Sequence, residues 1–171
     1  HLYEALAECA SHLRRFGGHR QAAGMDVDRQ AIPALRHAFN EAAARRLQPD
    51  QLRPVLTPDV ELRLSDADLQ LVHWMGYLGP HGIGNPGPLF LARDVAFDRP
   101  KVVGDGHLKL VVVQAQARLD AIGFGLAERF PVESLGARPH DVLFRLERNE
   151  WRGAVSPQAR LIDVRPSEER V

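Results

Sequence analysis

From Leu91 to the end, the chain breaks into short apolar-rich stretches, each bounded by turn-forming residues, and this texture leaves few folds open. The stretches are ARDVAFDRPKVVG, HLKLVVVQAQ, ARLDAIGFGL, HDVLFRLERNEW and QARLIDVR. Asp105-Gly106 marks a hairpin between the first two, and RNEWRG marks another between the last two. Five strands in about eighty residues suit a small closed barrel of the OB type, with a two-sheet sandwich as the alternative. LAERFPVESLG lies between the third and fourth strands, where such a barrel carries its helix, and the tail RPSEERV is expected to fray.

The first ninety residues read differently. Leu2, Ala5, Leu6, Cys9 and Leu13 recur at helical spacing, and Gly17-Gly18 are expected to stop that helix. His19 to Ala23 then fit about one helical turn, with Gly24 as its left-handed terminator and MDVD as a short strand. Asp28 can cap a second helix whose buried stripe is Ile32, Leu35, Phe39, Ala42, Ala43 and Leu47, with Pro33 in its first turn. Pro49, Pro54 and Pro58 punctuate a connection holding a short strand pair around Val60, Leu62 and Leu64. Ser65 with Asp68 resembles a capping box for a third helix bearing Leu69, Val72, Met75 and Leu78. LGPHGIGNPGPLF follows, too rich in Gly and Pro for regular structure and expected to be a tight ordered loop. The division expected is therefore 1–50, a connection over 51–90 and a barrel over 91–171, an α+β chain.

Charge narrows the function without deciding it. The formal charge is zero over 171 residues, so a whole-surface field for nucleic acid is excluded while a local basic groove is not. Lys101 and Lys109 are the only lysines. Cys9 is the only cysteine, which excludes an intrachain disulfide and a cysteine metal cluster and suits a reducing, cytoplasmic compartment. No apolar run approaches membrane-spanning length. The chain opens at His1, inside a predicted helix and without Met, and so reads as part of a longer protein.

FGGHRQAAGM places bare backbone on both sides of one imidazole. Backbone N–H groups at a helix start can cradle a phosphate where no Cβ blocks the approach, which Gly17 and Gly18 would allow, and His19 adds a side-chain donor. The small Ala22 and Ala23 permit close packing. The competing reading is a glycine-terminated helix and a packed turn with an incidental histidine.

GGHRQAAG resembles the GGHxxAAG signature of the DHH-associated domain, the substrate-binding half of the DHH phosphoesterase superfamily. GPHGIGNPGPLF resembles the FGxGNPxPxF segment of RecJ-type single-strand-specific exonucleases, and GDGHLKLVV, LDAIGFGLAERF, NEWRG and QARLIDVR resemble their OB domain. The resemblance runs in order along nearly the whole chain. It implies a partial DHH-associated α/β substrate domain followed by a five-stranded OB-type β-barrel. Departures exist: no Asp-His-His run, no basic GSxRS strand before the first helix, His81 where phenylalanine is usual and Gly87 where an acid is common.

The resemblance implies the substrate-binding part of an enzyme that degrades single-stranded DNA from its 5′ end in repair and recombination. Catalytic residues and metal ligands are expected outside this stretch, with Mn²⁺ or Mg²⁺ belonging to the parent. Gly17, Gly18, His19, Ala22, Ala23 and Gly24 would hold the terminal phosphate, and Gly82, Gly84, Asn85 and Pro86 would shape the channel, Asn85 either fixing the loop or touching backbone. Arg93, Arg99, Lys101, His107, Lys109, Arg118, Arg148, Trp151 and Arg152 are the candidates for binding the strand, by cations and stacking. Trp151 reads equally as a half-buried hairpin closure, Phe124 and Phe144 as core, and Arg36, Arg45 and Arg46 as a solvated face. Single-stranded DNA is the expected partner, with single-stranded-DNA-binding protein a candidate partner of the parent and no oligomeric state implied. A stand-alone OB adaptor for nucleic acid or protein is the alternative.

Overall fold

The computed structural model describes residues 1–136 and 138–168, so the last three residues of the tail expected to fray lie outside the described part. The chain divides into two compact units, His1–Leu56 and Thr57–Val171.

In the first unit, helix α1 (Leu2–Glu8) and a 3-10 turn at Ala10–His12 lead into strand β1 (Arg15–Gly18), which pairs antiparallel with β2 (Ala23–Asp26). A 3-10 turn at Arg29–Ala31 opens helix α2 (Ile32–Arg46). Leu35 and Ala42 of α2 bury with Cys9 against Leu13, Val27, Ala38 and Phe39. Ile32 and Leu47, assigned to that stripe by spacing, are instead largely exposed. Arg45 and Arg46, expected to be a solvated face, both grip Glu8 of α1. Hydrogen bonds from Arg46 and then Arg45 lower the Glu8 carboxyl to about 2.

Two expectations for this unit need correction. Gly17 and Gly18 do not stop a helix; they end strand β1, and His19–Ala22 form a hairpin loop rather than a helical turn. His19 N donates to Ala22 O at 2.7 Å, closing that loop. Gly24 lies inside β2 opposite Gly17, and Gly18 is the residue at positive φ, +144°.

The second unit is built on a closed barrel. After the two-residue strand β3 (Val60–Glu61), strands β4 (Phe90–Val103), β5 (His107–Gln114), β6 (Ala117–Gly123), β7 (His140–Trp151) and β8 (Ala154–Pro166) pair in the order β4-β5-β6-β8-β7, and β7 returns to β4. Among β4 to β8 the paired neighbours are antiparallel except β6 with β8. Closure depends on β4, which serves two partners: its first half pairs with β7 and its second with β5. Register shifts between Ala92 and Val95 and between Asp98 and Lys101 bend it, with Asp94 and Arg99 at positive φ. Because the strands alternate, Leu108, Leu110, Val112, Leu119, Ala121, Val142, Phe144 and Leu146 fill the interior.

Residues 57–90 fall within this unit. A 3-10 turn at Leu64–Asp66 and helix α3 (Leu69–Met75) pack Leu64, Leu71, Val72 and Met75 on the barrel core. Asp68 itself caps α3, accepting from Leu71 N at 2.8 Å, in place of the expected Ser65. The expected strand pair near Val60 is a single short strand, β3, running parallel to β4. Among the described residues between β6 and β7 there is a 3-10 turn, Val132–Leu135, where a helix was expected, because Pro131 interrupts the segment. Its Leu135 is buried, and Leu126, Phe130 and Val132 pack against the core.

Candidate nucleic-acid interface

The β4–β5 hairpin turns through Gly104–Gly106, both glycines at positive φ, and its register places Lys101 directly opposite Lys109. Both side chains point outward, since their neighbours Leu108 and Leu110 point in. Like charges at facing positions destabilise a sheet. Neither lysine has a described carboxylate within 4.0 Å. Register continues the row around the barrel: Lys109 faces Ile122 on β6, Ile122 faces Arg160 on β8, and Arg160 faces Arg145 on β7.

The other end of the same sheet is electrically neutralised. Asp98 holds Arg118 in an ion pair, and Arg99 lies 3.7 Å away. The hydrogen bond from Arg118 holds the Asp98 carboxyl below the ordinary carboxylate range. Asp120 lines the same cleft, about 490 Å³, with Arg99, Arg118, Ser156 and Pro157. Of the strand-binding candidates, then, Arg99 and Arg118 are engaged with a carboxylate, and so are Arg148, with Glu150 at 2.9 Å, and Arg93. Arg93 belongs to a structural network: it donates to Glu61 and to buried Asp141, which also accepts from Arg165 and Ser167 Oγ. Burial pushes the Asp141 carboxyl up, but the bonds from Ser167, Asp94 N and Arg165 outweigh it and leave it lowered.

His107 and two residues outside the predicted set complete the lysine end. His107 Nδ1 accepts from Gly125 N at 3.2 Å, which puts the proton of the neutral ring on Nε2. Phe124, expected in the core, is 52% exposed, whereas Phe144 is fully buried as expected. Phe124 meets His107 edge-on at 5.2 Å, and the Arg160 guanidinium lies 5.5 Å from its ring centre. Trp151 projects from the β7–β8 hairpin at 68% exposure, with Arg152 at 5.8 Å, so it is not the half-buried closure.

The loop after α3 is held by Asn85, whose Nδ2 donates to Leu78 O at 2.8 Å and Pro80 O at 3.1 Å, and Gly82 pairs with Asn85 across it. Arg145 donates to Gly87 O from β7. Asn85 and Pro86 border a cleft of about 420 Å³ with Leu71, Met75 and His81, while Ile83 is fully exposed at the tip. In the first unit, a Cβ on Gly17 or Gly24 would meet nothing within 4 Å, so the hairpin offers bare backbone beside exposed His19. A Cβ on Gly18 would lie 2.4 Å from Ala22 O. Ala22 and Ala23 shape that turn, not a helix start.

The RecJ OB domain family matches residues 58–163, well over half of the chain and nearly the whole second unit. The chain belongs to that family. It is 30% identical to the single-stranded-DNA-specific exonuclease RecJ of Bacillus subtilis over 98% of its own length and 33% identical to that of Thermus thermophilus over 96%. It spans only 21% and 23% of those proteins. The crystal structure of Thermus thermophilus RecJ with Mn²⁺ superposes with a TM-score of 0.72 at 28% identity, covering 97% of this chain and 24% of that one. The matching Mg²⁺ complex gives the same score. Among the described residues of this RecJ OB-domain chain, no group of three or more His, Cys, Asp or Glu is placed to hold a metal ion. No described helix is long and apolar enough to cross a membrane.

Proposed function

We propose that this chain is the strand-holding part of a RecJ-type exonuclease that acts on single-stranded DNA from its 5′ end, with the metal-bearing catalytic residues supplied by other parts of the parent protein. The observation that carries this reading is the facing pair Lys101 and Lys109 on a closed OB barrel, two cations kept together with no carboxylate partner among the described residues. A backbone phosphate bridging them would relieve their repulsion and release counterions, which is how proteins gain affinity for nucleic acid without reading sequence. His107 and Arg152, which have no described ion pair, extend the basic surface; Arg93, Arg99, Arg118 and Arg148 shape it through their carboxylates.

The β1–β2 hairpin has a second role in this reading. Gly17 and Gly24 leave the backbone open, and Gly18 sets the turn that presents His19, which would hold the terminal phosphate as an electrostatic clamp. The loop 82–86, braced by Asn85, would border the strand's passage.

Titration of the chain with fluorescent single-stranded and double-stranded oligonucleotides at two salt concentrations, without added metal, tests the reading. Salt-sensitive preference for the single strand is expected. Equal binding of both forms, or none, would overturn it and favour an OB adaptor for a protein partner.

A further inference from the structure

We infer that Phe124, clamped between His107 and Arg160, is a nucleobase-stacking platform at the lip of the barrel beside the lysine pair. The inference rests on the single-strand-binding reading above and adds the contact that holds the base rather than the phosphate.

The ring is contacted on more than one side although it is half open to water. Gly123 and Gly125 flank it, Gly125 at φ +66°, so the chain turns away immediately after the ring. Gly123 faces inward, where a Cβ would lie 2.7 Å from Leu126 Cδ1, and this fixes Phe124 on the outward face. His107 abuts it at an interplanar angle of 74°, and the imidazole is itself fixed by the bond from Gly125 N. Arg160 lies over the ring while keeping contact with Glu147 at 3.5 Å. His107 and Arg160 thus hold the ring, and the residue stays 52% exposed.

An aromatic ring held in place while half exposed suits a flat π-system, and every nucleobase offers one, whatever the sequence. The surroundings favour a nucleotide over an apolar protein side chain. Ile122, two residues before Phe124 on the same face, is the direct neighbour of Lys109 and of Arg160. Stacking and phosphate contacts therefore lie about one strand step apart. Trp151, exposed at the tip of the β7–β8 hairpin with Arg152 over its ring, stands at the far end from the lysine pair.

The test measures the full chain against a fluorescent oligo-dT and an abasic oligonucleotide of equal length, using wild type, Phe124→Leu, Phe124→Tyr and Lys109→Gln. Phe124→Leu is expected to weaken oligo-dT binding about tenfold and leave the abasic strand and the salt slope unchanged. Phe124→Tyr should retain binding, and Lys109→Gln should weaken both ligands. If Phe124→Leu binds oligo-dT like wild type, or loses both ligands equally, the platform is refuted while strand binding stands. If wild type binds neither ligand, the strand-binding reading fails and the platform with it. Unchanged circular dichroism melting of Phe124→Leu confirms that a loss is not unfolding.

Discussion

Replacing Lys101 and Lys109 together with glutamine should change binding and stability in opposite directions. Each lysine that neutralises a phosphate on single-stranded nucleic acid contributes about 0.7 to the slope of log K against log salt, so the double variant should lose about 1.4. Relative to 1 M salt, that amounts to an affinity about 25-fold lower at 0.1 M. The two side chains face each other across β4 and β5 without described carboxylates, so removing them also removes a like-charge pair worth about 0.2–1 kcal/mol of destabilisation. Anisotropy titrations over a salt series and urea melts of the same preparations read both effects. Weaker, less salt-sensitive binding together with a slightly raised urea midpoint is expected. An unchanged salt slope would refute the assignment of these lysines to the phosphate path.

Further outcomes follow from other parts of the structure. Gly18→Ala forces a Cβ against Ala22 O at positive φ and should cost the first unit about 1–3 kcal/mol in denaturant melts, with barrel binding of oligonucleotide intact. Glu8 has its carboxyl lowered from 4.5 to about 2, so the clamp on α2 is present above pH 4.5 and lost as pH falls towards 2; Glu8→Gln should flatten stability across that window. His140 is 4% exposed with Nδ1 unpaired among the described residues, and burial pushes its imidazole below the ordinary 6.5. The unfolded chain therefore binds a proton more readily, and stability should fall as pH drops below 6.5, an effect His140→Phe removes in pH-dependent melts. In the parent enzyme, His19→Ala should lower turnover and leave metal binding unchanged, and equal turnover would remove His19 from the phosphate clamp.

The barrel was readable because strands declare themselves by period-two alternation and by their turns: all five expected segments became β4 to β8. The Lys101–Lys109 pair was also within reach, since a turn centred on Asp105 places residues equally distant from it opposite one another. The β1–β2 hairpin was misread because RFGG offers no alternating side chains, and paired glycines look the same whether they end a helix or end a strand. Phe124 was assigned to the core because Gly123 hides the inward position in GFG. Counting from Leu119 and Ala121, both inward, puts position 124 outward. Arg160 carried no signal of its own. Its neighbours come from the parallel contact of β6 with β8, far apart in sequence, and only the closed topology brings them together. The same holds for the carboxylates that engage Arg93 and Arg118, whose partners Asp141 and Asp98 lie on other strands.

Mapping amide chemical-shift changes in the labelled chain on titration with oligo-dT addresses the location of the strand directly. The account predicts changes concentrated at His107–Lys109, Ile122–Gly125, Lys101 and Arg160, with little at Asp98, Arg118 and Asp120. Changes centred on that neutral end instead, or none on the barrel at saturating oligonucleotide, would contradict it.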